Sequence, residues 1–339
     1  MHGLNRYIFL ILILTFSGCS DKPLNSPYGK STDTKKVFYS SFQERPKHLD
    51  PARSYSSNEY AFIAQIYEPL FQYHYLKKPY QLIPLAAEEM PKQIYLDSKY
   101  KETKDKNKVR YTKYILKIQK GILYQNHPAF YKDGSSYKYH NLKKIDLDEI
   151  DTIKDFKNES TRELLSDDYI YQIKRLADYK NHSPIAGVMQ EYILGFSEYN
   201  KKISEVKYKN NAERIQFIKS NQIKGVEKID NFTFSIILKK QYPQFIYWLA
   251  MPFFSPMPWE ADMFYSQPGL QEKNITLNWF PIGTGPFKLT ENNPNLRMVL
   301  ERNKNFRQEV YPSIKDKIVK RKIISYNKNK VIPFIDKAV

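Results

Sequence analysis

Cysteine is almost absent from this chain: Cys19 is the only one in 339 residues. A disulfide within the chain is excluded, so the body must be held by packing, hydrogen bonds and ion pairs. No segment beyond the first twenty residues is apolar over the ~20 positions that a bilayer-spanning helix needs. A mean hydropathy of −0.63 fits a body that lives in water. Catalytic patterns are also missing. Ser-x-x-Lys occurs at Ser98-Lys101, Ser135-Lys138, Ser204-Lys207 and Ser325-Lys328, which a chain with 54 Lys and Arg supplies by chance. The companion Lys-Thr-Gly is lacking, and so is Gly-x-Ser-x-Gly, which argues against a serine hydrolase. His48, His74, His127, His140 and His182 stand far apart, with no metal-ligand spacing. The acidic group Asp146, Asp148, Glu149 and Asp151 fails the calcium-loop pattern, because Ile150 interrupts it and the required glycine is missing. No cofactor, no metal and no enzymatic activity are expected.

What is present begins at the N-terminus. Arg6 supplies a positive charge, an apolar run extends from Tyr7 to Phe16, and Ser17-Gly18-Cys19 leads into polar sequence. This is the layout of a secretory signal peptide, with a run too short to span a bilayer. A lone cysteine directly after Ser-Gly resembles the lipobox of bacterial lipoproteins, with Phe16 where that pattern prefers leucine. Residues 1–18 are expected to be a lipoprotein signal peptide and Cys19 the lipidated residue. Residues 19–36, with Pro23, Pro27, Gly29 and a Ser/Thr/Lys cluster, read as a flexible tether. The net charge of +18 would suit nucleic acid or an anionic membrane. An exported protein rarely meets nucleic acid, and neither zinc-finger spacing nor an aromatic RNA-binding motif is present. No nucleic-acid partner is expected. The abundance of Lys, Asn, Ile, Tyr and Phe together fits compositional drift, with membrane attraction as a side effect.

Hydrophobic periodicity then orders the body. Val37–Phe42 reads as a first strand, and Asn58–Leu70 as a helix capped by Asn58. Residues 82–90 read as a helical turn or two closed by Pro91. Residues 97–109 form a Lys-rich loop, and Tyr111–Gln119 a strand. Ser166–Asp178 is the clearest helix: Ser166 is the expected cap, and Asp167 and Asp168 lie in the first turn, where the helix dipole favours negative charge. A second helix is expected over Ile185–Tyr199. Val226–Lys240 reads as a hairpin, Tyr242–Met251 as a short apolar helix and Arg297–Arg302 as a strand. Strands and helices mix without regular βαβ alternation, which predicts a mixed α/β (α+β) body.

Five segments resemble, in family order, the extracellular solute-binding proteins of the peptide/nickel ABC importer family. They are His48-Leu-Asp-Pro-Ala52, Ile66-Tyr-Glu-Pro-Leu-Phe71, Leu82-Ile-Pro-Leu-Ala-Ala-Glu88, the helix from Ser166 to Ala177, and Pro281-Ile-Gly-Thr-Gly-Pro-Phe-Lys-Leu289 followed by Val299-Leu-Glu-Arg-Asn303. Gly283-Thr-Gly-Pro286 is not a phosphate loop, since it lacks the Lys and Ser/Thr of a P-loop and the third glycine of a dinucleotide fingerprint. Its glycines are expected to serve a tight crossover.

The resemblance implies a two-lobed, periplasmic-binding-protein-like fold that closes on an oligopeptide by hinge motion and delivers it to ABC permease subunits in the inner membrane. In such proteins an extended peptide pairs with strand edges. Residues 37–285 are expected to form the first lobe with its extra subdomain. Residues 286–339 are expected to start a second lobe that remains incomplete at Val339. The chain is therefore expected to be a membrane-anchored lipoprotein of the periplasm and cell envelope. The alternative from another class is a degenerate envelope lipoprotein that no longer closes on ligand. Tyr55, Phe254, Trp259 and Trp279 are the candidate ligand-binding residues, since aromatic rings with polar edges suit a tolerant peptide site. Tyr55 leads them, because the loop after the "LDP" element tends to face the ligand in this family.

Overall fold

The computed structural model of the chain describes residues 36–293, 295–312 and 327–339. Cys19, the segment expected to be a signal peptide and the expected tether up to residue 35 lie outside them. Among the described residues no helix is long and apolar enough to cross a membrane.

Two four-stranded sheets organise the body. The first contains β1 (Val37–Phe38), β10 (Phe287–Asn293), β11 (Arg297–Arg302) and β14 (Lys337–Ala338), in the order β1-β14-β11-β10. β1 runs parallel to β14, while β10 and β11 form an antiparallel hairpin. The segments placed on either side of the 285/286 boundary therefore share one sheet. The second sheet contains β4 (Lys92–Leu96), β5 (Tyr111–Lys117), β8 (Val226–Asp230) and β9 (Thr233–Leu238), in the order β4-β5-β9-β8, all antiparallel. Thr112, Tyr114 and Leu116 alternate into the core along β5, as a sheet with one covered face requires. Short pairs complete the strands: β2 (Phe71–Tyr73) with β3 (Leu82–Pro84), β6 (Lys132–Asp133) with β7 (Ser136–Tyr137), and β12 (Glu309–Val310) with β13 (Val331–Ile332).

The helices described in full are α1 (Ser57–Ile66), α2 (Ser166–Ala177), α3 (Ala186–Tyr192), α4 (Phe196–Glu205), α5 (Asn211–Ser220), α6 (Phe245–Trp248) and α7 (Trp259–Tyr265). Helix α2 is the hub: Tyr169, Ile173, Leu176 and Ala177 are all buried, and Tyr169 stacks on Phe234 of β9 at 5.8 Å. Its Arg175 pairs with Asp50 and Asp262, and its Asp168 pairs with Arg162.

Several local expectations are corrected by tertiary contacts. The first strand is shorter than 37–42. Helix α1 stops at Ile66 rather than Leu70, because Pro69 cannot continue it and disfavours helical backbone at Glu68. Its cap position is Ser56, two residues before Asn58, with the Ser56 N–H donating to the Glu59 carboxylate at 3.2 Å. Residues 82–90 are not helical. Pro84 lies in strand β3, and the Leu85 and Ala87 N–H groups both donate to the Leu70 carbonyl. At α2, Leu165 occupies the cap position and Asp168 accepts its N–H, while the Ser166 hydroxyl donates to the Asp230 carbonyl in the β8–β9 turn. The helix expected over 185–199 is two helices. Gly195, at φ +80°, ends the run, and the Leu194 N–H donates across to the Ile237 carbonyl of the sheet. Helices α5 and α7 were not anticipated.

Candidate functional site

The loop between β1 and α1 is built around two buried carboxylates. Asp50 receives both Nη atoms of Arg175, at 3.0 and 2.7 Å, and the Ala52 N–H at 2.9 Å. Burial disfavours its charge, but the guanidinium beside it prevails and holds Asp50 below the ordinary carboxylate range. Arg175 also donates through Nε to Asp262 of α7 at 2.9 Å and through Nη1 to Gln172. Gln172 in turn donates to the Phe253 carbonyl at 2.9 Å. One guanidinium thereby fixes the "LDP" loop, α2, α7 and the segment carrying Phe253.

Glu59 does the same for the next residues. Its carboxylate accepts the N–H groups of His48, Tyr55 and Ser56 and the Ser54 hydroxyl, at 2.8 to 3.2 Å. Burial raises its pKa, yet this ring of donors outweighs burial and lowers it. The consequence is a rigid backbone that holds Tyr55 out into solvent, 76% exposed, beside the Phe253 ring at 6.2 Å. Order without burial is what a contact residue needs, because the entropy of placing it has been spent in folding.

A separate group of exposed rings stands on β2, α6 and the segment between β2 and β3. Tyr73 of β2 stacks on Tyr247 of α6 at 6.5 Å and meets Tyr80 edge-on at 6.0 Å. Met251, four residues beyond Tyr247 and two before Phe253, is also exposed. None of these was singled out in the sequence. The tyrosines come from a strand, a loop and a short helix and share no local pattern, and a chain with 28 tyrosines does not mark out three of them.

The other three predicted rings sit elsewhere. Phe254 turns inward, 2% exposed, and packs edge-on against Phe245. Trp259 is half-buried at the start of α7, edge-on to Tyr137 and His140, with the Lys219 ammonium 3.2 Å from its ring centre. Trp279 is half-buried, and its carbonyl accepts from Asn292 of β10. No ring contact joins any two of the four candidates among the described residues.

A large groove of about 1810 Å³ opens on the other side of α1. Phe62 of α1, Phe38 and Phe42 of the N-terminal segment, and Met298 and Leu300 of β11 line it, with Asn58 and Gln65 as polar points. It is larger than the roughly 300–1,000 Å³ of ordinary small-molecule sites. Beside it β1 is the edge strand of its sheet.

The glycine loop is structural. A Cβ on Gly283 would lie 1.8 Å from the Ile66 carbonyl oxygen, and one on Gly285 would lie 2.7 Å from the Gln65 and Ile66 oxygens. The Gly285 N–H caps the Ile66 carbonyl at 2.8 Å, and Asn303 donates its side-chain amide to the Gly285 carbonyl at 3.0 Å. Close backbone approach, not ligand binding, accounts for both glycines. The neighbouring Glu68 pairs with Arg307 at 2.7 Å, and Arg307 is shared with Glu309. The remaining sequence elements thus clasp one another: "LDP" holds α2, and the segment after α1 holds the glycine loop and the strand end beyond Asn303.

A family model described as bacterial extracellular solute-binding proteins, family 5, middle part, matches residues 154–327, just over half of the chain. The chain is 30% identical over 161 residues to the dipeptide-binding protein of Escherichia coli (strain K12), covering 47% of this chain and 25% of that protein. It is 30% identical over 139 residues to the periplasmic oligopeptide-binding protein OppA of Salmonella typhimurium, covering 41% and 22%. The matched stretch spans about a quarter of the length of these curated relatives. Among solved structures, the periplasmic oligopeptide-binding protein OppAIV of Borrelia burgdorferi superposes with a TM-score of 0.53 at 17% identity, covering 90% of this chain and 42% of that one. OppA of Burkholderia pseudomallei gives 0.51 at 15% identity, covering 81% and 39%. The fold is accordingly mixed α/β and corresponds to part of a two-lobed binding protein.

Proposed function

Because this chain belongs to the bacterial extracellular solute-binding proteins of family 5, we propose that it captures peptides at the cell envelope for delivery to the permease of an ABC importer. Cys19 carries the lipid that holds it at the membrane. Residues 37–285 act as the first lobe. Residues 286–339 lead toward the second after giving β10 and β11 to the sheet of β1. Tyr55 meets the ligand. The observation that carries this reading is the presentation of Tyr55 by the buried Glu59 ring and the Asp50–Arg175 pair: a stiff, exposed aromatic on the loop where the family resemblance puts ligand contact. The exposed rings of Tyr73, Tyr80 and Tyr247 offer further aromatic surface to an extended peptide. The peptide leaves unaltered, and the chain performs no chemistry on it.

Thermal melting of the chain without residues 1–19, with and without a pool of tri- to pentapeptides, tests the reading. A ligand at a hundredfold excess over its Kd stabilises the folded state by about 2.7 kcal/mol. A cooperative melt that moves upward with peptide, and a Tyr55→Ala variant that melts alike without peptide but binds roughly tenfold more weakly, are expected. A melt indifferent to every peptide in the pool would remove the proposal. Recovery of cleaved peptide would remove the claim that no chemistry occurs.

A further inference from the structure

The loop joining β4 to β5 carries Lys99, Lys101, Lys104, Lys106, Lys108 and Arg110 against Asp97, Glu102 and Asp105, a net charge of +3 in fourteen residues. A loop of this composition on its own would be a solvated, mobile excursion. Here it is folded. Asp97 turns its carboxylate inward and accepts the N–H groups of Lys99 and Lys101, at 2.8 and 2.9 Å. The Asp97 N–H donates to the Lys101 carbonyl, so residues 97–101 close a tight turn. Leu96 then bridges Glu102, and the Thr103 N–H donates to the Tyr95 carbonyl, folding the chain back along β4. A second turn follows, with Asp105 accepting the Asn107 N–H and its carbonyl accepting the Lys108 N–H. The Arg110 N–H returns to Leu96 before β5 begins. Both turns therefore stand at the same end of the sheet.

Two carboxylates are thus occupied by backbone donors. Only Lys108 forms an ion pair within the loop, with Asp105 at 3.4 Å, among the described residues. Lys99, Lys101, Lys104 and Lys106 are exposed, and no carboxylate lies within ion-pair distance of them among the described residues. Two tyrosines stand among these charges. Tyr100, 41% exposed, stacks on Tyr111 with ring centres 4.7 Å apart, and the Lys224 ammonium lies 5.4 Å from the Tyr100 ring. Tyr100 has φ +61°, a conformation that ordinary residues rarely adopt and that this turn enforces.

We infer that the β4–β5 loop is a docking surface for an anionic phospholipid bilayer. Basic side chains near such a surface each gain attraction from its negative potential, roughly fivefold in partition per lysine. Tyrosine rings with a polar edge settle at the headgroup level. The turns hold these groups in place beforehand, so the bilayer meets an ordered cationic face. The inference concerns orientation at the membrane and does not depend on peptide binding.

Flotation of the full chain with vesicles tests it, using phosphatidylcholine alone or with one-third phosphatidylglycerol. The measured quantity is the ratio of binding to anionic over neutral vesicles, in which the contribution of the apolar N-terminus cancels. A variant with Lys99→Gln, Lys101→Gln, Lys104→Gln and Lys106→Gln is expected to lose at least tenfold in that ratio. A variant of equal net charge, with Lys143→Gln, Lys144→Gln, Lys154→Gln and Lys157→Gln in the region that follows the opposite end of β5, is expected to lose less than threefold. Equal losses in the two variants would mean overall charge rather than this loop, and would overturn the inference. Binding of soluble polyphosphate as tight as that of anionic vesicles would also overturn it, since the lipid surface would then add nothing.

Discussion

Replacing Arg175 with methionine would expose how much of this body hangs on one buried guanidinium. Arg175 is 2% exposed and donates to Asp50, Asp262 and Gln172. Methionine fills most of the arginine's stem, so the loss is electrostatic rather than a cavity. What remains is a pair of carboxylates, at Asp50 and Asp262, facing an apolar gap. Breaking a buried pair by removing one partner costs about 3–5 kcal/mol. Asp50→Asn is a milder perturbation, because Arg175 still balances Asp262; losing charge-assisted hydrogen bonds alone costs about 1.5–3 kcal/mol. The two variants also differ in pH dependence. In the native chain Asp50 has a lowered pKa, so its contribution is complete above the unfolded value of about 3.9 and is lost as pH falls through the lower folded value. Without Arg175, burial outweighs what remains, the Ala52 N–H and the more distant charge of Arg53, and raises the pKa of Asp50. The sign then reverses: the variant regains stability as pH falls from 7.5 toward 5, because protonation removes the buried charge. Urea unfolding followed by tryptophan fluorescence at both pH values measures each effect. An Arg175→Met variant that loses less than about 1 kcal/mol, or loses the same amount at both pH values, would refute the account of this network.

Three further outcomes are expected. Gly283→Ala places a methyl 1.8 Å from the Ile66 carbonyl oxygen, so backbone must move, and a loss of about 3 kcal/mol, at the upper end for overpacking, is expected in the same unfolding assay. Glu68 is pushed up to about 7 by burial, against the attraction of Arg307, which it shares with Glu309. With its folded pKa above the unfolded one, the contribution of Glu68 to stability should fall as pH rises from about 5 to 7, by up to about 1.4 kcal/mol per unit, so the stability difference between the native chain and Glu68→Gln should change with pH by that amount. His127 is lowered to about 3 by burial, with Lys288 adding to it. Its Nδ1 accepts the Ala129 N–H, which leaves Nε2–H to donate to the Tyr265 hydroxyl. Its ring resonances in NMR should stay constant from pH 8 to 5, with stability lost only as acid below the unfolded pKa of about 6.5 favours the charged, unfolded form.

The sequence by itself determined those elements whose signal is local. The β8–β9 hairpin follows from alternation around Asp230 to Phe232, and α2 from an apolar stripe behind Asp167 and Asp168. The exclusion of disulfides and the structural role of the glycine loop were legible too, the latter because its pattern lacked the residues that hold phosphate. Tertiary structure alone decided the rest. Residues 82–90 carry a helical pattern but give their N–H groups to Leu70 and Lys117, because strand pairing with β2 satisfies more of the backbone once Leu70 is buried. Gly195 splits one periodic run in two because Leu194 turns to bond Ile237 of β9, 43 positions further along the chain. The motif residues Asp50, Glu68 and Asn303 could be read as signs of a family, yet their partners Arg175, Arg307 and Gly285 lie 125, 239 and 18 positions away. Which carboxylate meets which guanidinium is set by the packing of whole elements, and periodicity along a chain holds no record of distance across it. The same reason hides the setting of Tyr55: the family resemblance singled the residue out, but its rigid exposure exists only after Glu59 has gathered the backbone around it.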